Sequence, residues 1–187
     1  MGWLSSTPSS PVPLAESVRE ALTPLVNALT QPDEAARQAA VRHVLAVCLP
    51  QVIRLLCERL VERLLQGGEA TCRLALASLV EIGGPAARVV ADRLTGTRAS
   101  GVQVRLADTL AAIGERLPQA DPDWYIDVGI ARRLAASDEA RKAIDRAAGV
   151  MRAAGERPAP TSGPGARPWP ERHAEPWLCR GVRRPGS

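Results

Sequence analysis

The chain has 187 residues and is 45% hydrophobic, but only 3% of its residues are aromatic and none is phenylalanine. Its core must therefore consist of Leu, Val, Ile and Ala, which suits closely stacked helices better than a ligand pocket with aromatic walls. Residues 16–155 carry 18 basic and 17 acidic side chains, so most of the net charge of +4 lies in the remaining C-terminal segment. This balance argues against a nucleic-acid-binding body.

The N-terminus has neither the basic start nor the apolar run of a signal peptide, and no stretch of 18 apolar residues occurs. We therefore expect a cytoplasmic protein without a membrane segment. The sequence has no Cys-x-x-Cys pair, so we expect the cysteines to be reduced thiols rather than disulfides or metal ligands. These are Cys48, Cys57, Cys72 and Cys179.

Apolar residues at steps of three and four predict eight helices within residues 14–155. The Ser- and Pro-rich residues 1–13 are interpreted as a flexible leader, and the Pro-, Gly- and Arg-rich residues 156–187 as a disordered tail. The predicted helices are Leu14–Leu29, Asp33–Cys48, Gln51–Gln66, Glu69–Ile82, Pro85–Leu94, Val102–Ile113, Asp123–Ala136 and Asp138–Ala154.

Residues that start or stop helices separate these segments. Pro24 is expected to kink or interrupt the first helix, because proline lacks an N–H and crowds the preceding turn. Gly67 and Gly83 are expected to end helices in the left-handed conformation that glycine tolerates. Ser137 is expected to cap the last helix.

Parts of the sequence repeat. Leu49–Leu60 aligns with Gly84–Leu94 at a shift of 34 to 35 residues, and Ala75–Gly83 aligns with Leu106–Gly114 at a shift of 31. Self-similarity at this period is typical of stacked helical repeats, in which each helical hairpin buries its apolar face against the next.

Leu22–Val41 resembles a HEAT repeat, and is most similar to the short bacterial kind also seen in phycobilin-lyase-like repeat proteins. It has an apolar helix ending in Ala-Leu, a turn with Pro and Asp, and a second helix opening with an apolar residue and Arg. The opening recurs at Ala36-Arg37, Cys72-Arg73 and Val104-Arg105, and an Ile-Gly ending at Ile82-Gly83 and Ile113-Gly114, whereas the first copy ends in Val47-Cys48. The resemblance covers about residues 14–117. It implies an all-α fold, a short right-handed α-solenoid of about three HEAT-like hairpins plus a C-terminal capping helix pair.

In HEAT-like proteins the helices of the concave face tend to bind the partner. The resemblance assigns this role to the first, third and fifth predicted helices, whose polar residues have both signs of charge and so suit a protein better than a polyanion. We predict a non-enzymatic protein–protein interaction scaffold that uses no cofactor and whose partner the sequence does not identify. The same residues could instead form an ordinary solvated face. The candidate partner-binding residues are Arg54, Glu58, Arg59, Glu62, Arg88, Asp92 and Arg93.

The alternatives are a nucleic-acid-binding or base-processing HEAT-like protein and a lyase-like accessory protein. The first would use Asp123, Trp124 and Tyr125 with nearby arginines, since aromatic rings stack on bases. More simply, these aromatic residues cover the end of the core. His43 is expected on a helix surface, and the tail pair His173 and Cys179 provides too few ligands for zinc.

Three arginines occur at the same position of successive repeats. Arg37, Arg73 and Arg105 occupy equivalent repeat positions and are interpreted as a structural ladder that pairs with acids of the same or the next repeat. Asp33 and Glu69 precede the first two by four residues, the spacing of a helical ion pair.

In the Pro-rich tail, Trp169 and Trp177 are candidate docking residues, because tryptophan is a strong interface anchor. An inert tail is equally compatible with the sequence.

Overall fold

A computed structural model describes residues 16–117 and 123–156, which form eight α-helices and no strand. These residues belong to one compact unit. The predicted leader, the tail from residue 157 onward and its candidates Trp169 and Trp177 lie outside the described residues. The helices are α1 (Glu16–Leu29), α2 (Glu34–Val47), α3 (Pro50–Gln66), α4 (Glu69–Ile82), α5 (Gly84–Gly96), α6 (Ser100–Arg116), α7 (Asp123–Arg133) and α8 (Asp138–Gly155).

Local capping explains several of these bounds. The Asp33 Oδ1 atom accepts a hydrogen bond of 2.9 Å from the Ala35 N–H at the start of α2. The Ser137 hydroxyl accepts one of 3.1 Å from the Ala140 N–H, which confirms the predicted cap of α8. Helix α1 continues through Pro24, so the expected interruption does not occur. Because Pro24 is exposed, water can hydrate the carbonyl group that its missing N–H leaves unpaired.

The two predicted glycine caps differ. Gly83 has the positive φ expected from the sequence, 72°, but its ψ of −123° differs from that of the left-handed helical cap. Gly67 has φ of −75° and ψ of 163°, so the left-handed prediction is wrong there. At Gly67 glycine is needed for space, because an added Cβ would lie 2.6 Å from the Arg63 carbonyl oxygen and 2.9 Å from the Thr71 side chain.

The helices pack as consecutive pairs, α1 with α2, α3 with α4, α5 with α6, and α7 with α8. Every second helix is also in contact, so that α1, α3, α5 and α7 form an odd row and α2, α4, α6 and α8 an even row. Among the described residues, no substantial contact joins the first pair to the last. Helix α3 therefore lies beside α5, as the repeat alignment predicts.

The core is aliphatic, as the composition requires. Leu56, Leu60 and Leu94 are fully buried, and α6 is buried on several sides because it contacts α4, α5 and α8. The apolar steps of α2 predict that Val47 faces inward, but it is the last residue of the helix and is 62% exposed. Arg37 on the same helix is 6% exposed and takes an inward position instead.

Helices α6 and α8 have the most extensive contact between any two helices. Small side chains allow this approach, since the buried face of α8 includes Ala140, Ala143, Ala147 and Ala154. Gly114 lies at this contact, where an added Cβ would be 2.8 Å from the Met151 sulfur.

Candidate functional site

A groove runs along the surface between α3 and α5. Two cavities lie along it, of about 360 Å³ at the N-terminal ends of the helices and about 270 Å³ farther along. We call the first the proline recess; it is lined by Pro50, Gln51, Arg54, Pro85, Arg88 and Val89. We call the second the acidic recess; it is lined by Arg54, Glu58, Val61, Glu62, Val89, Asp92, Arg93 and Gly96.

The two helices that form this α3–α5 groove run in the same direction. Pro50 lines the same recess as Pro85, whereas Glu62 lines the other recess with Gly96. These pairs are separated by 35 and 34 residues in sequence, the same shift at which the two segments align. The repeat in the sequence therefore corresponds to a register in space.

Helical periodicity brings the polar side chains to the groove. Arg54, Glu58 and Glu62 follow one another at steps of four on α3, as do Arg88 and Asp92 on α5, so each set lies on one face. The opposite face of α3 is held in the core by the buried residues Ile53, Leu56, Cys57, Leu60 and Leu64. The core thus fixes which side chains point into the groove.

Arg54 links the two walls of the groove. Its Nε atom donates to the Glu58 Oε1 atom at 3.2 Å on α3, and its Nη2 atom donates to the Asp92 Oδ2 atom at 3.3 Å on α5. The Arg54, Glu58 and Asp92 side chains are 60%, 37% and 47% exposed, so water screens both ion pairs. Such pairs position side chains but stabilise a fold by less than about 1 kcal/mol each.

Six of the seven predicted partner-binding residues line this groove, and Arg59 does not. Arg59 forms an ion pair with Glu62 and borders a second depression of about 230 Å³, which it lines with Glu62, Arg63, Gln66 and Gly67. Arg63 ties that side of α3 to α1, donating to the Thr30 hydroxyl and to the Asn27 Oδ1 atom at 2.7 Å each. Arg59 therefore faces the α1 side of α3.

The three equivalent arginines have three different environments. Arg37 Nη2 pairs with Glu81 Oε1 on α4 at 3.4 Å, and Arg37 Nη1 donates to the Gln31 carbonyl at 3.3 Å. Arg73 pairs with Glu69 at 3.8 Å and is 74% exposed.

The third of these arginines, Arg105, donates to the carbonyl of Leu64 at 3.1 Å, near the end of α3. Only Arg73 thus pairs with the acid four residues before it. Asp33, which precedes Arg37 by that spacing, caps α2 instead.

The sequence pattern did not predict one buried polar side chain, that of Gln103. The fully buried Gln103 donates from Nε2 to the carbonyls of Thr97 and Leu134 at 3.1 Å and accepts at Oε1 from the Ala136 N–H at 2.8 Å. These hydrogen bonds join the start of α6 to the end of α7. Its position could have indicated this burial, because Gln103 lies on the same apolar stripe of α6 as Leu106 and Leu110. A polar residue on such a stripe indicates a buried hydrogen-bonded group.

The described residues contain little that suggests chemistry. Burial raises the pKa of the Cys57 thiol from 9.0 to about 12, and the adjacent Glu58 charge adds to the shift, so the thiol is neutral near pH 7. A neutral thiol is a poor nucleophile and metal ligand. Within 16–117 and 123–156, no group of three or more His, Cys, Asp or Glu side chains is placed to hold a metal.

The remaining candidates are placed as follows. His43 is exposed on α2, as expected. The side chains of Asp123, Trp124 and Tyr125, and all of His173 and Cys179, lie outside the described part of the chain. None of the helices that the structure describes is long and apolar enough to cross a membrane.

The chain matches no protein-family model, no curated protein and no solved structure. The α3–α5 groove is a candidate site because of the geometry and charge of its own residues.

Proposed function

We propose that the eight helices form a short right-handed HEAT-like α-solenoid of three hairpins closed by the α7–α8 pair. The two rows of successive helix contacts support this arrangement, as does the agreement between the sequence shift of 34 to 35 residues and the register of α3 against α5. In a solenoid each hairpin contacts only its neighbours. The odd row, with the α3–α5 groove at its centre, then forms the concave face.

The function that this geometry supports best is a non-enzymatic scaffold that holds a protein partner in the α3–α5 groove, in the cytoplasm and without a cofactor. One observation carries the proposal: six polar side chains of both signs, five of them at steps of four along two adjacent helices, converge on one surface groove. A solvated helix face needs no such convergence across two helices.

Weak internal pairing makes the groove available to a partner. Because the Arg54–Asp92 pair is exposed, a partner that replaces it loses little stabilisation and gains its own charged hydrogen bonds. The buried faces of α3 and α5 meanwhile keep the walls in place, so binding requires little ordering of the site.

The balance of charge favours a protein over a nucleic acid. The groove contains three arginines (Arg54, Arg88 and Arg93) and three carboxylates (Glu58, Glu62 and Asp92), so its formal charge is zero. Phosphate backbones are bound by surplus positive charge, and three carboxylates would repel them. A folded or extended protein segment can match both signs.

Photo-crosslinking in the native host tests this proposal. Benzoylphenylalanine replaces Gln51, an exposed residue of the proline recess, in the full chain. We expect irradiation to give one discrete protein adduct. The same group at Ala39, an exposed position on α2, is the control and should give no such adduct.

The double variant Arg54→Asp/Asp92→Arg provides the specificity control, because it exchanges the two charges across the groove and keeps an ion pair between α3 and α5, while it loses only the exposed Arg54–Glu58 pair. The Gln51 adduct should be lost in this background while the melting temperature stays close to that of the parent. Equal adducts from Gln51 and Ala39, or an adduct that survives the charge exchange, would show that the groove is not the binding surface.

A further inference from the structure

The first hairpin, α1 with α2, is attached to only one other hairpin. Helix α1 contacts α3 and α4, and α2 contacts α4, whereas no described helix from α5 onward has a substantial contact with either. Among the described side chains, these two helices bury five aliphatic ones, while α3 alone buries six apolar ones. The five are Leu22, Val26, Leu29, Val41 and Val44. At the opposite end of the fold, α8 is held by the most extensive helix contact of the structure.

Polar contacts hold much of the interface between the first and second hairpins, and they gather near the turn between α1 and α2. The Ser78 hydroxyl of α4 donates a hydrogen bond to the Leu29 carbonyl group at the end of α1. Arg63 of α3 donates to two side chains at the end of α1 and in the turn. The Arg37–Glu81 ion pair joins α2 to α4. Each of these bonds is replaced by a bond to water when the hairpins separate, so its net contribution to docking is small.

The Arg37–Glu81 pair makes separation less costly than an apolar contact in the same place would. Only 7% of the Arg37 side chain and 12% of the Glu81 side chain are exposed, and their Nε and Oε2 atoms have no hydrogen-bond partner. Removing two charges from water is costly, and one ion pair of 3.4 Å compensates for it only in part. Both charges recover their hydration when α2 leaves α4.

The connection between α2 and α3 allows the hairpin to move as a unit. Only Cys48 and Leu49 separate the two helices, and both have an extended backbone conformation. Pro50 disfavours a helical conformation at Leu49, so α2 and α3 remain separate helices. Because Leu49 is 68% exposed, a change in its backbone angles disrupts little packing. These two residues can therefore act as a hinge.

We propose that the first hairpin detaches from α3 and α4 as a unit, turning about Cys48 and Leu49, while α3 to α8 stay folded. The Arg37–Glu81 pair sets how often this happens. A segment held by few buried apolar contacts opens at a lower free energy than the whole protein unfolds. Detachment uncovers the faces of α3 and α4 that α1 and α2 cover, and so creates an apolar surface that exists only in the open state. The inference does not depend on the scaffold proposal.

Native-state hydrogen exchange of the full-length protein, measured by mass spectrometry at increasing sub-denaturing urea concentrations, tests this movement. Helices of 14 residues are marginally stable alone, so the amides of α1 and α2 exchange once the hairpin is detached. We expect them to exchange together, and at least about ten-fold faster than those of α6 and α8 after correction for intrinsic rates. Because detachment exposes less surface than global unfolding, their exchange should depend more weakly on urea.

Variants of the ion pair test its role. Arg37→Met/Glu81→Leu replaces both charges by apolar groups and should slow exchange in α1 and α2 alike by about ten-fold. The response of α1 is decisive, because α1 contains neither substitution and would not respond if its amides exchanged by fraying of that helix alone. Glu81→Ala leaves Arg37 buried without its counter-ion and should accelerate exchange in both helices by about 100-fold. Glu69→Ala, which removes the exposed partner of Arg73 on α4, is the control and should change neither.

The inference is overturned if α1 and α2 exchange at the rate of α6 and α8 at every urea concentration, because only global unfolding would then open them. It is also overturned if α1 exchanges faster than α2 and does not respond to Arg37→Met/Glu81→Leu, which would indicate fraying of one helix. Equal effects of Glu81→Ala and Glu69→Ala would contradict the role of the buried pair. Circular dichroism checks that each variant is folded.

Discussion

Arg37 on α2 and Glu81 on α4 form an ion pair across two helical hairpins, with Arg37 Nη2 and Glu81 Oε1 at 3.4 Å. Their side chains are 7% and 12% exposed, and the buried Arg37 Nε and Glu81 Oε2 atoms have no hydrogen-bond partner. The pair is thus removed from water but only partly satisfied. It joins the first hairpin to the second, and the desolvation of its two charges offsets the attraction between them.

This geometry predicts opposite effects for single and double substitutions. Glu81→Ala should lower the free energy of unfolding by about 3 kcal/mol, because it leaves the Arg37 charge buried without its counter-ion. The double variant Arg37→Met/Glu81→Leu should be as stable as the parent or more stable, because it removes both desolvated charges. Urea unfolding followed by circular dichroism measures both.

The exposed pair Arg73–Glu69 is the matched control, and Glu69→Ala should cost less than about 0.5 kcal/mol. A loss below 1 kcal/mol for Glu81→Ala would show that Arg37 reaches water in solution.

The packing of α3 is tested by Leu56→Ala. Leu56 is fully buried on the face of α3 that opposes the groove, so we expect a loss of about 2–5 kcal/mol from lost burial and the cavity left behind. Leu49→Ala removes the same atoms from a side chain that is 68% exposed and should cost less than 0.5 kcal/mol. Similar losses at both sites would contradict the register of α3. Chemical denaturation gives the comparison directly.

Much of the fold follows from the sequence because its signals are local. The apolar steps of three and four predict helix α4 with the bounds that the structure has, and they place Leu56 in the core. The alignment of Leu49–Leu60 with Gly84–Leu94 correctly predicts that α3 and α5 lie side by side. Once that contact exists, helical spacing alone brings Arg54 and Asp92 to the same groove.

The sequence does not identify partners that are distant along the chain. It allowed Arg37 an acid of the same or the next repeat, and local spacing pointed only to Asp33; the counter-ion is Glu81, 44 residues away in the next hairpin. Gln103 is buried because Thr97, Leu134 and Ala136 converge on it, which periodicity within α6 alone does not reveal. Whether a polar group is buried depends on the groups that neighbouring helices place against it.

The close approach at the α3–α4 turn gives a third prediction. Gly67→Ala should destabilise the protein by about 1–3 kcal/mol, since the new Cβ would be 2.6 Å from the Arg63 carbonyl oxygen and the backbone must shift. Gly149→Ala on α8 is the control, because nothing lies within 4 Å of its Cβ position. Alanine favours a helix more than glycine does, so this variant should be about 0.5–1 kcal/mol more stable. Thermal melts of both variants distinguish steric strain from a general effect of losing glycine.

The buried Cys57 thiol predicts a dependence of stability on alkaline pH. Its folded-state pKa of about 12 is above its ordinary value of 9.0. The neutral thiol is therefore favoured in the folded protein, and this contribution is complete below pH 9 and lost as pH rises from 9 toward 12. Between pH 8 and pH 10 the parent should lose about 1 kcal/mol relative to Cys57→Ala, which has no group to titrate there.

The relevant quantity is the difference in the free energy of unfolding between the parent and Cys57→Ala. The contributions of other groups that titrate in this pH range cancel in that difference. Any cavity in Cys57→Ala adds the same offset at every pH. Parallel stability curves for the two proteins would mean that Cys57 is accessible to water.

The last prediction concerns the groove itself. Arg54→Gln removes the charge that links α3 to α5 but keeps a long polar side chain. Because the Arg54–Asp92 pair is exposed and screened, we expect a change in the free energy of unfolding of less than about 0.5 kcal/mol. Adding 0.5 M NaCl should change the free energy of unfolding of the parent and the variant by similar amounts. An exposed ion pair contributes little, and salt screens it further. Urea unfolding at low and high salt measures this, and a loss above 2 kcal/mol would mean that Arg54 holds the helices together instead of serving a partner.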